Sequence, residues 1–181
     1  MGNSGDNMES RKRRQSRWKP GMVYAVPLSD GSYGIAQAGD TQGEFVNVIY
    51  VAMYCHRFLD LPTSIPDLTR DYVISLSSTW RQALNRGEWL SIGVAPETFN
   101  TSEFPNEQLA KQEYVGARIC DAGILSDFLS AYHGLIPWNI MHDPKFFDAF
   151  LRPESPKPPL ANVLSEQDRE KYRREVYNIV T

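Results

Sequence analysis

Residues 45–54, Phe-Val-Asn-Val-Ile-Tyr-Val-Ala-Met-Tyr, constrain the fold more than any other stretch. They are rich in β-branched and aromatic residues and nearly continuous in apolar character, interrupted by Asn47. A strand this continuously apolar has no solvent face and belongs inside a sheet. Residues 22–27 make a related demand. Met22, Tyr24 and Val26 alternate with Val23, Ala25 and Pro27, so both faces are apolar and both expect cover, from a small closed barrel or from packed helices. Ser29-Asp30-Gly31-Ser32 then separates this run from Tyr33–Gln37, and glycine supplies the positive φ of a tight hairpin. Pro27 cannot donate to a ladder, which puts it at an edge, a bulge or a strand end.

The first half reads as strands near 22–28, 33–38, 45–54, 72–76, 89–94 and 114–119, with a second turn at 39–43. Residues 55–71 form a loop broken by Pro62 and Pro66, and residues 78–84 a short helix stopped by Gly87. Residues 97–112 are polar and irregular. The second half turns helical. Leu125, Phe128, Leu129 and Tyr132 share one helical face, with Gly134 as the stop. Asp143-Pro144 opens a helix striped by Phe147, Phe150 and Leu151. Residues 152–164 are a Pro-rich linker, and Ser165 with Asp168 caps a last helix whose apolar face is Tyr172, Val176, Ile179 and Val180. The fold class is therefore α+β: a strongly bent antiparallel sheet or SH3-like small barrel, followed by C-terminal helices. Trp89, Phe128, Leu129, Phe147 and Phe150 are its expected core.

A chain of 181 residues with 41% hydrophobic and 23% charged residues fits one soluble domain, spanning 18–151, with appended segments. It has no apolar run long enough to cross a membrane and no secretory leader, which predicts a cytoplasmic protein. Asp6 stands where an N-myristoylation motif needs Ser or Thr. The formal charge of −3 hides an asymmetry: residues 1–19 hold six bases and two acids, so the remainder carries −7. Residues 1–17, polar and basic without apolar anchors, read as a disordered tail. The acidic body disfavours nucleic acid and favours a basic protein partner.

Catalytic and metal chemistry find little support. Cys55 and His56 are neighbours on a strand and point to opposite faces, which defeats a nucleophile–base pair. His56, Cys120, His133 and His142 lack the spacing of a zinc site, and no phosphate loop or nucleophile elbow occurs. Cys55 and Cys120 read as free thiols. No cofactor and no enzymatic activity is expected.

Several segments, in order, resemble the immunity protein 26 family of bacterial polymorphic toxin systems. They are Lys19–Leu28 with Gly31 and Tyr33-Gly34; Gly87–Pro96, with its Trp, Ile-Gly and Pro; Gly116–Ile119; Phe128–Leu135; and Pro137-Trp138-Asn139 through Asp143-Pro144 to Phe147-Asp148. The family pattern has Pro-Trp-Asp where this chain has Asn139. The resemblance spans residues 18–151 and implies a non-enzymatic antitoxin that binds a cognate toxin domain and blocks its active site or substrate access. The competing reading is a MazF-like SH3-barrel ribonuclease or nucleic-acid-binding module, against which the acidic body argues.

Residues 87–154 hold ten acids and four bases, most of the body's negative charge. The expected toxin-binding residues are Glu97, Glu103 and Glu107 in the irregular loop, with Asp143 and Asp148, and Trp138 as an aromatic anchor whose other reading is a core tryptophan. The basic tail stands outside this surface. Deleting residues 1–17 is expected to change stability by about 1 kcal/mol or less, as measured by denaturant unfolding, and to leave partner inhibition intact.

Overall fold

The computed structural model describes residues 17–155, 158 and 160–177. Five strands form one sheet: β1 (Met22–Pro27), β2 (Tyr33–Gln42), β3 (Phe45–Phe58), β4 (Val73–Trp80) and β5 (Leu90–Val94). Their order is β4-β3-β2-β1-β5 and every ladder is antiparallel. The sheet is open. β4 and β5 end it on opposite sides, so the closed barrel is not realised. Register shifts interrupt three of the four ladders, including those opposite Gly34/Ile35 and Met53/Tyr54, and each adds local bend and twist.

Both faces are covered, as the two-faced strands require. On one face Met22, Tyr24, Val26, Ile49, Val51 and Met53 pack under α2 (Ala122–Tyr132) and the segment from Trp138 to Phe150. On the other, Val23, Ile35, Tyr50, Ala52 and Tyr54 meet Leu68, Phe99 and Phe104 from two loops. The expected core residues Trp89, Phe128, Leu129, Phe147 and Phe150 are all buried. Phe128 is their hub, its ring centroid 5.5 to 6.0 Å from those of Trp138, Phe147 and Phe150.

The strand containing residues 45–54 is interior, second of five, and continues to Phe58. Leu28 N–H donates to the Ser32 carbonyl at 2.8 Å across the hairpin, Gly31 has φ +85°, and Pro27 sits at a strand end. β2 runs on to Gln42, so the second turn shrinks to Gly43-Glu44. β4 extends to Trp80, so the helix expected over residues 78–84 starts three residues later, as α1 (Arg81–Arg86), and is stopped by Gly87 with φ +82°.

Residues 114–119 are not a strand. Glu113 and Tyr114 both have left-handed backbones (φ 55° and 59°) and Gly116 follows at φ 87°, which turns the chain too sharply to extend. Asn106 then holds Arg118 at both ends of its amide, accepting from its N–H at 3.0 Å and donating Nδ2–H to its carbonyl at 2.8 Å. Only Cys120 reaches the sheet, through an isolated parallel bridge to Thr79. Residues 97–112 are also more ordered than their polarity suggests. They form two 3-10 helices (Thr101–Glu103, Pro105–Gln112) that seat Phe104 in the second core. Phe146–Phe150 is 3-10 rather than α-helical, and the Asp143 carboxylate caps the turn before it, accepting Lys145 N–H at 2.9 Å.

The last helix, α3 (Glu166–Tyr177), is capped as expected: Ser165 Oγ accepts Asp168 N–H and donates to its carboxylate. It is tied down by Arg169, 6% exposed, which donates to Met141 and His142 carbonyls and pairs with Glu166. Tyr172 packs on the first core, Val176 is exposed, and Ile179 and Val180 lie outside the described residues, as do residues 1–16 of the basic tail. Asn139 bonds both ways with Leu164, Oδ1 accepting its N–H and Nδ2 donating to its carbonyl, fixing the end of the Pro-rich segment to the domain. Among the described residues no helix is long and apolar enough to cross a membrane.

Phe128 tests this architecture. Phe128→Ala is expected to destabilise the protein by about 3–5 kcal/mol in urea or guanidinium unfolding, because the ring it removes packs against four aromatic neighbours, Tyr132, Trp138, Phe147 and Phe150.

Candidate functional site

The β2–β3 hairpin ends in a projecting tip at Gly43-Glu44, and the elbow at 113–116 folds against it. Tyr114 lies over the tip, edge-on to Phe45 with centroids 5.5 Å apart. Gly43 (φ +51°) lets the ring sit this close, because a Cβ would fall 2.5 Å from the Tyr114 hydroxyl and push the side chain aside. Two consecutive left-handed residues without a glycine between them are unfavourable, and they persist because neighbours hold them. Glu113 is the left-handed cap of the Pro105–Gln112 helix, its N–H donating to the Ala110 carbonyl and that of Tyr114 to the Leu109 carbonyl, and Glu107 holds the Tyr114 side chain. Glu107 Oε2 accepts the Tyr50 hydroxyl at 2.6 Å and the Tyr114 hydroxyl at 3.2 Å. Tyr50 is fully buried and stacked on Phe104 at 4.4 Å. Burial, with the Glu107 carboxylate beside it, pushes its hydroxyl far above the usual tyrosine range, so it stays a donor.

This clamp displays Phe45, Val46 and Val115 to solvent at 50%, 57% and 73% exposure. Exposed Glu44 adjoins Phe45 in the chain, and exposed Glu113 lies two residues before Val115. Farther along β2, Asp40 lies near Glu97, both exposed. Partial burial and then the Asp40 charge raise the Glu97 pKa, so this pair lacks compensation. Exposed apolar side chains with acids as chain neighbours are suited to dock a surface that offers an apolar patch and basic groups.

The sequence-nominated residues divide. Glu97 is exposed on this side, and Glu107 is the clamp itself. Glu103 is already spoken for: Arg70 donates to it at 2.7 Å, lowering its pKa, and it closes a capping box with Asn100. Trp138, Asp143 and Asp148 belong to the helical layer on the opposite face of the sheet. Trp138 is 1% exposed and its indole N–H donates to Asp148 Oδ1 at 2.7 Å, so it is a core tryptophan and Asp148 its acceptor rather than a presented pair. Phe45, Val46 and Val115 were not singled out. The first two open the most apolar strand, and only the paired length of β3 reveals that they overhang the core.

His56 packs on Tyr72 and bonds through Nε2 to the Asp67 carbonyl at 2.7 Å, while Cys55 faces the other core. Burial, and then Arg57, depress the His133 pKa to about 4, which keeps it neutral. Cys120 is buried and its thiol pushed up to about 11 by burial. Among the described residues no three His, Cys, Asp or Glu side chains are grouped to hold a metal. Comparisons with protein-family models, curated proteins and solved structures find no match to this chain.

Glu107→Ala is expected to destabilise the fold by about 1–3 kcal/mol, since the buried Tyr50 hydroxyl loses its acceptor. Glu44→Gln, which removes no internal bond, should stay within about 0.5 kcal/mol of the parent by the same unfolding measurement.

Proposed function

We propose that this protein is an immunity protein, a cytoplasmic antitoxin that binds a cognate, basic toxin domain and blocks its active site without turnover. The observation that carries the reading is the clamped tip, where Phe45, Val46 and Val115 are exposed beside Glu44 and Glu113. Exposed aromatic and aliphatic side chains with acids as chain neighbours match the composition of a protein-binding patch. Two sequence features support the same reading: the ordered segments that resemble the immunity protein 26 family, and the −7 charge of the body beyond residue 19. An acidic surface speeds encounter with a basic partner.

The direct experiment is co-purification with the product of the neighbouring gene, followed by titration of its toxic activity. Inhibition that saturates at a fixed molar ratio is expected, and rescue at substoichiometric amounts would show turnover instead. Reversing Glu44 and Glu97 together to lysine is expected to lower the association rate about tenfold or more and to flatten its salt dependence. Phe45→Ala should mainly raise the dissociation rate. An association rate indifferent to salt and to both reversals would reject the acidic tip as the contact surface.

A further inference from the structure

β4 is an edge strand whose outer side is only partly covered. At one end Arg152 N–H donates to the Ile74 carbonyl at 2.9 Å, and at the other Cys120 N–H donates to the Ser78 carbonyl at 2.9 Å. These two bonds show that residues 74 and 78 turn their peptide groups outward. Strand alternation turns those of Leu76, midway between them, the same way. No described loop hydrogen-bonds to the Leu76 peptide groups. The chain thus caps this edge on both sides of Leu76 and leaves one residue of it open.

A groove lies over that opening. Two adjoining cavities of about 290 and 250 Å³ share Leu76, Pro105, Gln108 and Phe150. The walls are the Pro105–Gln112 helix and the Phe146–Phe150 helix. In the first cavity the Arg118 guanidinium rests over the Phe146 and Phe150 rings, 5.7 and 5.4 Å from their centroids. It has no acidic partner among the described residues. The other arginines of the groove differ: Arg70 is paired with Glu103 at 2.7 Å and Arg152 with Glu154 at 3.6 Å. Arg118 is therefore a positioned, uncompensated cation beside an open strand edge and an apolar floor.

We propose that this groove binds an extended, carboxylate-bearing peptide segment of a partner protein, its backbone pairing with Leu76 and its carboxylate with Arg118. Strand addition supplies main-chain hydrogen bonds, and the side-chain pocket supplies selectivity. Arginine presents a forked donor set that suits a carboxylate, and its ring-stacked position limits the freedom lost on binding. The short opening, bounded by Arg152 and Cys120, restricts main-chain pairing to the peptide groups of Leu76. This site differs from the proposed toxin-binding tip in chemistry and uses the β4 edge, although the Pro105–Gln112 helix and Gly116 contribute to both.

The test uses the ¹⁵N-labelled full chain and the peptide acetyl-Val-Glu-Val-Thr-amide, with two control peptides: Glu replaced by Gln, and the residue after Glu N-methylated. The expected result is saturable shifts of the Leu76 amide and the Arg118 Nε–H. Losing a charge-assisted bond of about 1.5 kcal/mol or more should weaken binding at least about tenfold for the Gln peptide, and likewise for R118Q with the parent peptide. The N-methylated peptide should lose the Leu76 shift. Because R118Q alters an exposed side chain and the control peptides leave the protein unchanged, loss of binding is separable from loss of fold. The proposal is overturned if the parent peptide shifts neither group at millimolar concentration, or if the Gln peptide and R118Q bind as tightly as the parents.

Discussion

A sheet with two apolar faces cannot be finished by one layer, and this requirement shapes the whole molecule. Each interior strand sends alternate side chains to two separate cores, Ile49, Val51 and Met53 to one and Tyr50, Ala52 and Tyr54 to the other. Leaving either face wet would forfeit about 1.5–3 kcal/mol for each large side chain exposed. One face receives α2 and the aromatic Phe146–Phe150 turn. The other receives loops, which bring few apolar groups and many backbone polar ones, and so must be pinned by hydrogen bonds.

Two buried amides do the pinning. Gln37, fully buried in β2, donates Nε2–H to the Ala95 carbonyl at 2.9 Å and accepts the Tyr54 hydroxyl at 2.8 Å. It ties the end of β5 to the middle of the sheet. Asn106 joins the Pro105–Gln112 helix to Gln42 Oε1 at 2.7 Å and Ser78 Oγ at 2.9 Å, and holds Arg118 in the following elbow. Both amides lie where a loop crosses the sheet. Their bonds are satisfied by specific partners, so they fix the position of the loop more sharply than apolar contact alone would.

Strand alternation and hairpin chemistry were legible in the sequence, because they depend on neighbours in the chain. Met22–Pro27, the Asp30-Gly31 turn and the Phe128 face of α2 all follow from local pattern. What escaped depends on partners far away. Tyr114 to Ile119 has the composition of a strand, yet Asn106 and the Gly43 tip bend it into an elbow. Phe99 and Phe104 sit in a polar stretch whose role as a core lid becomes visible only once the second face of the sheet exists. For the candidate site, charge located the region of Glu97 and Glu107 but not their roles. Nothing local distinguishes a glutamate that binds two tyrosine hydroxyls from one that faces water. Trp138, equally balanced between anchor and core on the sequence, is settled by the Asp148 carboxylate that receives its indole.

The tip divides labour between residues that hold and residues that present. Tyr50, Glu107, Tyr114 and Gly43 fix its shape through internal contacts, whereas Glu44, Val46 and Val115 project outward. A surface held in advance loses little conformational freedom on meeting a partner. It can also change its outward residues without disturbing what supports them. Under the proposed function, a lineage confronted with altered partners could then rewrite this patch one side chain at a time without disturbing the fold.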